Sequence, residues 1–392
     1  MTTTRKILLG LGALIVVAYA GLRLVAPPLV EGSMNRQVPH RPYTVPTDAQ
    51  AVHNTLTVMD WHADTLLWQR DMLDRSDRGQ VDLPRLQAGN FALQMFTTVT
   101  KTPRGQNYTA NDASSDNITL LAVAQGWPMR TWGSLLERAL YQGQRLDDYV
   151  ANSGGALMWV RSRSELQALL AARAGAPDTK PIGALLGTEG AHPLEGNIEN
   201  IDRLYDAGFR MVGLLHFFDN EIGGSLHGTS KAGLTDFGRA VVRRLNEKEM
   251  IIDLSHASEQ VAWDVLAITN RPVVMSHTGL KGHCDTPRNF PDDLMKAIAA
   301  RGGLIGIGFW KAAICDDTPD AIAEALLYGV SLVGADHIAL GSDWDGAVQA
   351  LTAEDVPAIT AALLEKGADA QLISKIMGEN SVRFLNKWLP KN

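Results

Sequence analysis

The chain has 392 residues, 45% of them apolar and 20% charged, with 36 glycines and 17 prolines spread along its length. That balance excludes a disordered or fibrous protein. A formal charge of −7, with no cluster of Lys and Arg, excludes nucleic acid as a partner.

In chain order, the first segment stands apart. Arg5 and Lys6 precede an apolar run, Ile7 to Leu22, which Arg23 interrupts and Pro27-Pro28 ends. Residues 1–34 are therefore expected to form a signal-anchor or transmembrane segment. Ala18-Tyr19-Ala20 resembles a small-x-small cleavage site, so the alternative is secretion after cleavage near Ala20. The renewed apolar character of Leu24–Val30 favours an anchor left in place. Under either outcome the basic end stays in the cytoplasm and the body is exported, to the periplasmic or extracellular side. A polar, proline-bearing linker over 35–50 then leads into one folded body over 51–392.

Eight short apolar runs that end in polar residues follow: Thr57–His62, Ala92–Thr98, Ile182–Glu189, Phe209–His216, Met250–His256, Pro272–His277, Gly303–Phe309 and His337–Asp343. Helical patterns lie between most of them, at Asn197–Ala207, Asp236–Lys248, Ser258–Ile268, Pro291–Ala300 and Pro319–Val333. This alternation predicts a (β/α)8 TIM barrel rather than an open sheet, since no glycine-rich dinucleotide loop follows the first strand. The stretch between the second and third strands is an insertion, helical over Leu120–Tyr149 and with a small extra strand at Ala156–Val160.

The chemistry collects at the strand ends: His62 with Asp64, Glu189, His216, His256, His277 and Asp343. In a barrel these ends meet on one face, so residues remote in sequence share a pocket. His and carboxylate together suit zinc or a similar divalent ion. A carboxylate closing an apolar strand, as Glu189 does, is costly to bury unless paired or metal-bound, and its two oxygens can bridge two ions. A salt bridge to an arginine is the structural alternative for Glu189, and a satisfied core histidine the alternative for His62 alone. His40, His53 and His337 lie away from the C-terminal strand ends, whereas His192, His227 and His283 sit in loops on the correct side. Cys284 and Cys315 are too few for a cysteine metal site, but in an exported protein they suffice for one bridge.

The segments Asp60-Trp-His-Ala-Asp64, Gln80-Val-Asp-Leu-Pro-Arg-Leu86, Asp253-Leu-Ser-His256, Ser276-His277, Pro287-Arg-Asn289 and Gly341-Ser-Asp-Trp-Asp-Gly346 run in order from about Val58 to the C-terminus. Together they resemble the renal (membrane) dipeptidase family of metallopeptidases, in its bacterial form. The resemblance implies a TIM barrel with two zinc ions per chain, one held by His62 and Asp64, the other by His256 and His277, with Glu189 bridging. It further implies that His216 contacts the substrate near the reacting carbonyl, that Arg288 holds the substrate, and that Asp343 lies near the metals and the substrate amine. A Cys284–Cys315 disulfide and a homodimer are also implied. Trp61 replaces a glycine often seen in the first motif, and the loop Asp219–Gly233 resembles bacterial members, which leaves side-chain preference open.

Two ions sharing a carboxylate can share a water and lower its pKa, making a hydroxide for attack on a peptide carbonyl. Arg288 can pair with a terminal carboxylate and Asp343 with an ammonium, so a site fixing both ends selects dipeptides by length. Arg288 would otherwise pair with Asp292 or Asp293, and Asp343 would otherwise cap a loop. The competing expectations are a two-metal amidohydrolase for another small amide, lactam or ester, and a non-catalytic binding barrel.

Overall fold

The computed structural model describes residues 3–175, 180–347 and 349–392. Nine strands pair in parallel: β1 (Val58–Ala63), β2 (Phe91–Val99), β3 (Leu157–Trp159), β4 (Ile182–Glu189), β5 (Met211–Gly213), β6 (Ile251–Asp253), β7 (Val274–Thr278), β8 (Leu304–Ile307) and β9 (Ile338–Leu340). Their order is β2-β1-β9-β8-β7-β6-β5-β4, and β2 pairs with β4, which closes an eight-stranded barrel. The short β3 lies outside the ring, on β4. All eight expected strands are the barrel's strands: β4 has the expected bounds, β2 is one residue longer at each end, β1 and β7 are shifted towards their C-terminal ends, and β5, β6, β8 and β9 are trimmed. The fold is a (β/α)8 TIM barrel.

Parallel strands covered on both sides read as continuous apolar runs, and here they are buried throughout. Three of the helices between them start where a hydroxyl caps the first turn. Thr235 accepts from the Gly238 amide, Ser258 from Val261 and Thr318 from Ala321. Side chains alternate along a strand, so Leu185 and Glu189, Ile251 and Asp253, and Val274 and Ser276 share the barrel's inner face. Each inward column is thus apolar below and polar at the top. The last helix, Asn380–Trp388, closes the lower end, where Trp61 Nε1 donates to Ser381 Oγ at 2.8 Å and meets Phe384 edge-on at 5.7 Å.

Two expectations are corrected. The insertion is not one helix over Leu120–Tyr149 but three, at Ile118–Ala124, Arg130–Gly133 and Leu135–Asn152. Gly126 adopts φ +67° and Pro128 follows, which together end the first of them. At the N-terminus, α1 (Thr3–Met34) runs through Pro27-Pro28 rather than stopping there. Its far end docks on the barrel. Glu31 pairs with Arg70, Arg70 pairs also with Asp345, and Asn35 Nδ2 donates to Asp345 Oδ1 at 2.9 Å. The segment after α1 is likewise held on the body, with the Val38 amide donating to Gln349 O at 2.9 Å. A helix, Thr47–Thr55, begins within the last residues of the expected linker. By contrast, Leu8, Leu9, Leu14, Val16 and Val17 of α1 are exposed.

Candidate metal centre

Five strand ends and the loop after β9 deliver one cluster. The Nε2 atoms of His62, His256 and His277 lie 3.5, 3.2 and 3.5 Å from a single oxygen, Glu189 Oε1. His216 Nε2 is 3.2 Å from the other oxygen, Oε2. Asp64 Oδ1 and Asp343 Oδ1 lie 3.5 and 3.9 Å from His62 Nε2. All are buried except Asp343, whose side chain is 13% exposed.

The loop carrying Asp343 is tightly shaped. Asp343 and Asp345 both adopt left-handed backbone, φ 60° and 64°, and a Cβ at Gly346 would collide with the Asp64 carboxylate. Asp345 itself accepts from Thr65 Oγ1 at 2.6 Å and from the Gln80 amide at 2.7 Å. Arg288 forms no ion pair with Asp292 or Asp293. Its guanidinium is fully buried over the Trp310 ring and donates to Ser255 O at 2.9 Å and His277 O at 2.6 Å, leaving Nε unpartnered.

Behind the cluster lies a lattice that sequence reasoning did not pick out. Ser276 Oγ donates to Asp253 Oδ2 at 2.6 Å, so it can only accept from His277 Nδ1 at 2.9 Å and His62 Nδ1 at 3.2 Å. Each of these histidines then carries a proton on Nδ1, which leaves Nε2 facing Glu189: with a lone pair on neutral His277, and on His62 with a second proton that a bound cation would replace. Ser255 Oγ donates to the other Asp253 oxygen at 2.6 Å and accepts from the His277 amide at 3.1 Å. Asp60, also unassigned from sequence, accepts from Gln94 Nε2 at 2.7 Å and from the Ser342 amide at 2.7 Å, tying β1 to its neighbours on both sides. The signal was present in Asp253-Leu-Ser-His256, but the Asp and Ser of that motif carried no role.

Electrostatics ask for a cation. Burial pushes the Glu189 carboxyl well above its usual range, with Asp64 adding to the effect, and burial raises Asp343 to about 7. Burial works against a charge on His62, yet the Asp64, Glu189 and Asp343 carboxylates overcome it and lift that group to about 10. Burial drives His216, His256 and His277 well below the ordinary histidine value. A field that holds a proton on His62 while keeping the other imidazoles neutral suits a divalent cation. Ligand-capable atoms fall into two groups sharing Glu189: His62, Glu189, His277 and Asp343 in one, and Glu189, His216 and His256 in the other. This grouping separates His277 from His256, unlike the expected pairing. Three histidines converge on one Glu189 oxygen, so distance alone does not partition them.

The sequence from residue 47 to residue 388 matches the model of the membrane dipeptidases, peptidase family M19. The chain belongs to the membrane dipeptidase family. Among individual members, it is 32% identical over 215 residues to the dipeptidase verJ of Clonostachys rogersoniana, covering 52% of this chain and 55% of that protein. It is 28% identical over 260 residues to an uncharacterised Klebsiella pneumoniae protein from the pqqA 5′ region, covering 62% and 93%. Solved structures share the fold. The probable dipeptidase PvdM of Pseudomonas aeruginosa superposes with TM-score 0.72 at 18% identity over 88% of this chain and 98% of that one. A Rhodobacter sphaeroides metallopeptidase, liganded with a phosphinate mimic of L-Ala-D-Ala, gives 0.68 at 22% identity over 85% and 99%.

Against this membrane dipeptidase frame, Cys284 and Cys315 are joined in a disulfide. It links the loop that presents Arg288 to the segment after β8. Two pocket residues went unassigned from sequence: Tyr108 from the insertion and Trp310 after β8, where Trp310 Nε1 donates to Tyr108 Oη at 3.0 Å.

His192 lies beside the cluster, buried against Phe218, with neither ring nitrogen hydrogen-bonded. Burial, helped by Lys101, pushes it down to about 3. The unfolded chain therefore binds a proton at His192 between about pH 6.5 and pH 3 that the folded chain refuses. Stability from this group is complete above that window and falls with pH inside it, by up to about 1.4 kcal/mol per unit. For His192→Gln, urea midpoints at pH 7 and pH 5.5, taken in chelator, should lie closer together than in the parent. An unchanged gap would show that His192 accepts a proton in the folded state.

Proposed function

We propose that this chain is a membrane-tethered dipeptidase that works with two zinc ions. The observation that carries the proposal is Glu189 ringed by histidine Nε2 atoms, two of them oriented through Ser276 and Asp253. His62 and Asp64 would hold one ion, His256 and His277 the other, and Glu189 both. When bound, the ions supply Lewis acidity and a water of lowered pKa. The protein residues do the rest. A neutral His216 has one N–H, held on Nε2 beside Glu189 Oε2; with that oxygen given over to a bound ion, the N–H would be free to donate to an oxyanion developing on the scissile carbonyl. Asp343, as a carboxylate beside His62, would pair with the substrate ammonium, take up the proton that the attacking water loses, and pass that proton on to the leaving amine. Arg288 uses its remaining N–H groups for the terminal carboxylate. The names of verJ and PvdM, and the dipeptide mimic on the Rhodobacter enzyme, point the same way.

The exposed first half of α1 would lie in the bilayer, with the body exported, where the Cys284–Cys315 bridge is stable. Metal analysis of the full chain should give two zinc ions. Ala-Ala should be hydrolysed, with activity lost to a chelator and restored by zinc. One ion per chain, or Ala-Ala left intact by the zinc-loaded protein, would overturn the proposal.

A further inference from the structure

The cavity above the cluster has a volume of about 960 Å³. That is ample for a drug-sized ligand and far more than Ala-Ala fills. Its polar end holds Asp64, Glu189, His216, Arg288 and Asp343, and it continues without interruption into an apolar annex. The annex is lined by Leu67, Trp68 and Leu121 of the body together with Leu22, Val30 and Met34 of α1. Val30 packs directly on the cluster formed by Leu67, Trp68 and Leu121. The segment of α1 concerned precedes residue 47, where the family match begins.

This wall is fixed to the catalytic loop. Glu31 and Asn35 reach Arg70 and Asp345, and Asp345 stands two residues beyond Asp343. Arg288 lies on the other side, bonded to Ser255 and His277. In a substrate with its ammonium at Asp343 and its carboxylate at Arg288, the N-terminal residue is the one beside the loop that α1 holds. Tyr19 Oη and Arg23 of α1 donate to Val123 O and Gln125 O, and beside them Leu120 and Met129 are 62% and 76% exposed. Outside α1, the only other exposed large apolar side chain among the described residues is Trp263.

We propose that the end of α1 is a specificity element of the active site, selecting dipeptides whose N-terminal residue carries a long aliphatic side chain. This rests on the dipeptidase proposal above. Cleavage near Ala20 would leave Leu22, Val30 and Met34 in place, so the annex does not depend on the anchor's fate. The test uses the full zinc-loaded chain in phosphatidylcholine nanodiscs and three substrates: Ala-Ala, 2-aminodecanoyl-Ala and Ala-2-aminodecanoate. The parent should favour 2-aminodecanoyl-Ala over each of the others by at least about tenfold in kcat/KM. Val30→Asp should erase that preference. Met34→Asp, at a half-exposed position that tolerates a charge, should reduce it in the same direction. Cleavage of Ala-Ala without the preference, or a preference unchanged in Met34→Asp, would overturn the annex alone. Failure on all three substrates would overturn the dipeptidase proposal, and the annex with it.

Discussion

Glu189→Gln is expected to lower kcat/KM on Ala-Ala by at least about 100-fold, because loss of even an outer-shell partner of a metal ligand costs 10–100-fold. The amide keeps the shape and removes the charge. Three histidine Nε2 atoms within 3.5 Å of Glu189 Oε1 then face a neutral oxygen or an NH2 group. His216 loses the acceptor 3.2 Å away that fixes its proton on Nε2. Zinc per chain, measured after dialysis, should fall below two. Full zinc content with parental turnover would remove Glu189 from the centre of the site.

Arg288→Ala should cost about 100-fold on Ala-Ala and far less on its C-terminal amide, since truncating one partner of a buried, hydrogen-bonded charge pair costs about 2–5 kcal/mol. The parent should discriminate strongly between acid and amide, and the variant should not. Arg288 also supports Ser255 O and His277 O, so a drop on both substrates alike would indicate a structural role. Arg288→Lys separates the two outcomes. It keeps a charge but not the planar fork, and should recover stability more than selectivity. Equal kcat/KM for acid and amide in the parent would rule out the clamp.

Much of this was legible in the sequence because parallel barrels write their chemistry at strand ends. Apolar runs such as Ile182–Glu189 give both the strand and the residue it delivers, and that strand has the expected bounds. Short strands were overdrawn, as with Phe209–His216 against Met211–Gly213, since the residues beyond leave the sheet to form the pocket. Asp253 and Ser276 escaped notice as positioning groups because their part lies in a hydrogen-bond lattice between two strands, and periodicity carries no trace of such a lattice. Tyr108 and Trp310 are brought together by an insertion and a loop 202 positions apart, which spacing cannot reveal. The docking of α1 was hidden for another reason. Glu31 and Asn35 look like ordinary polar residues after an apolar run, until Arg70 and Asp345 are seen opposite them.

The seam between β1 and β9 has a consequence for how the protein is made. Ser342 donates to Asp60 across a separation of 282 residues, and one of the two ligand sets draws on both sides of that seam. Contacts so distant in sequence form late, because loop closure comes before the contacts that reward it. His62 emerges early in synthesis but meets Asp343 only when nearly the whole polypeptide is available. The set that joins His62 to Asp343 is therefore completed last, whereas Glu189, His216 and His256 lie within one third of the barrel and need no such closure.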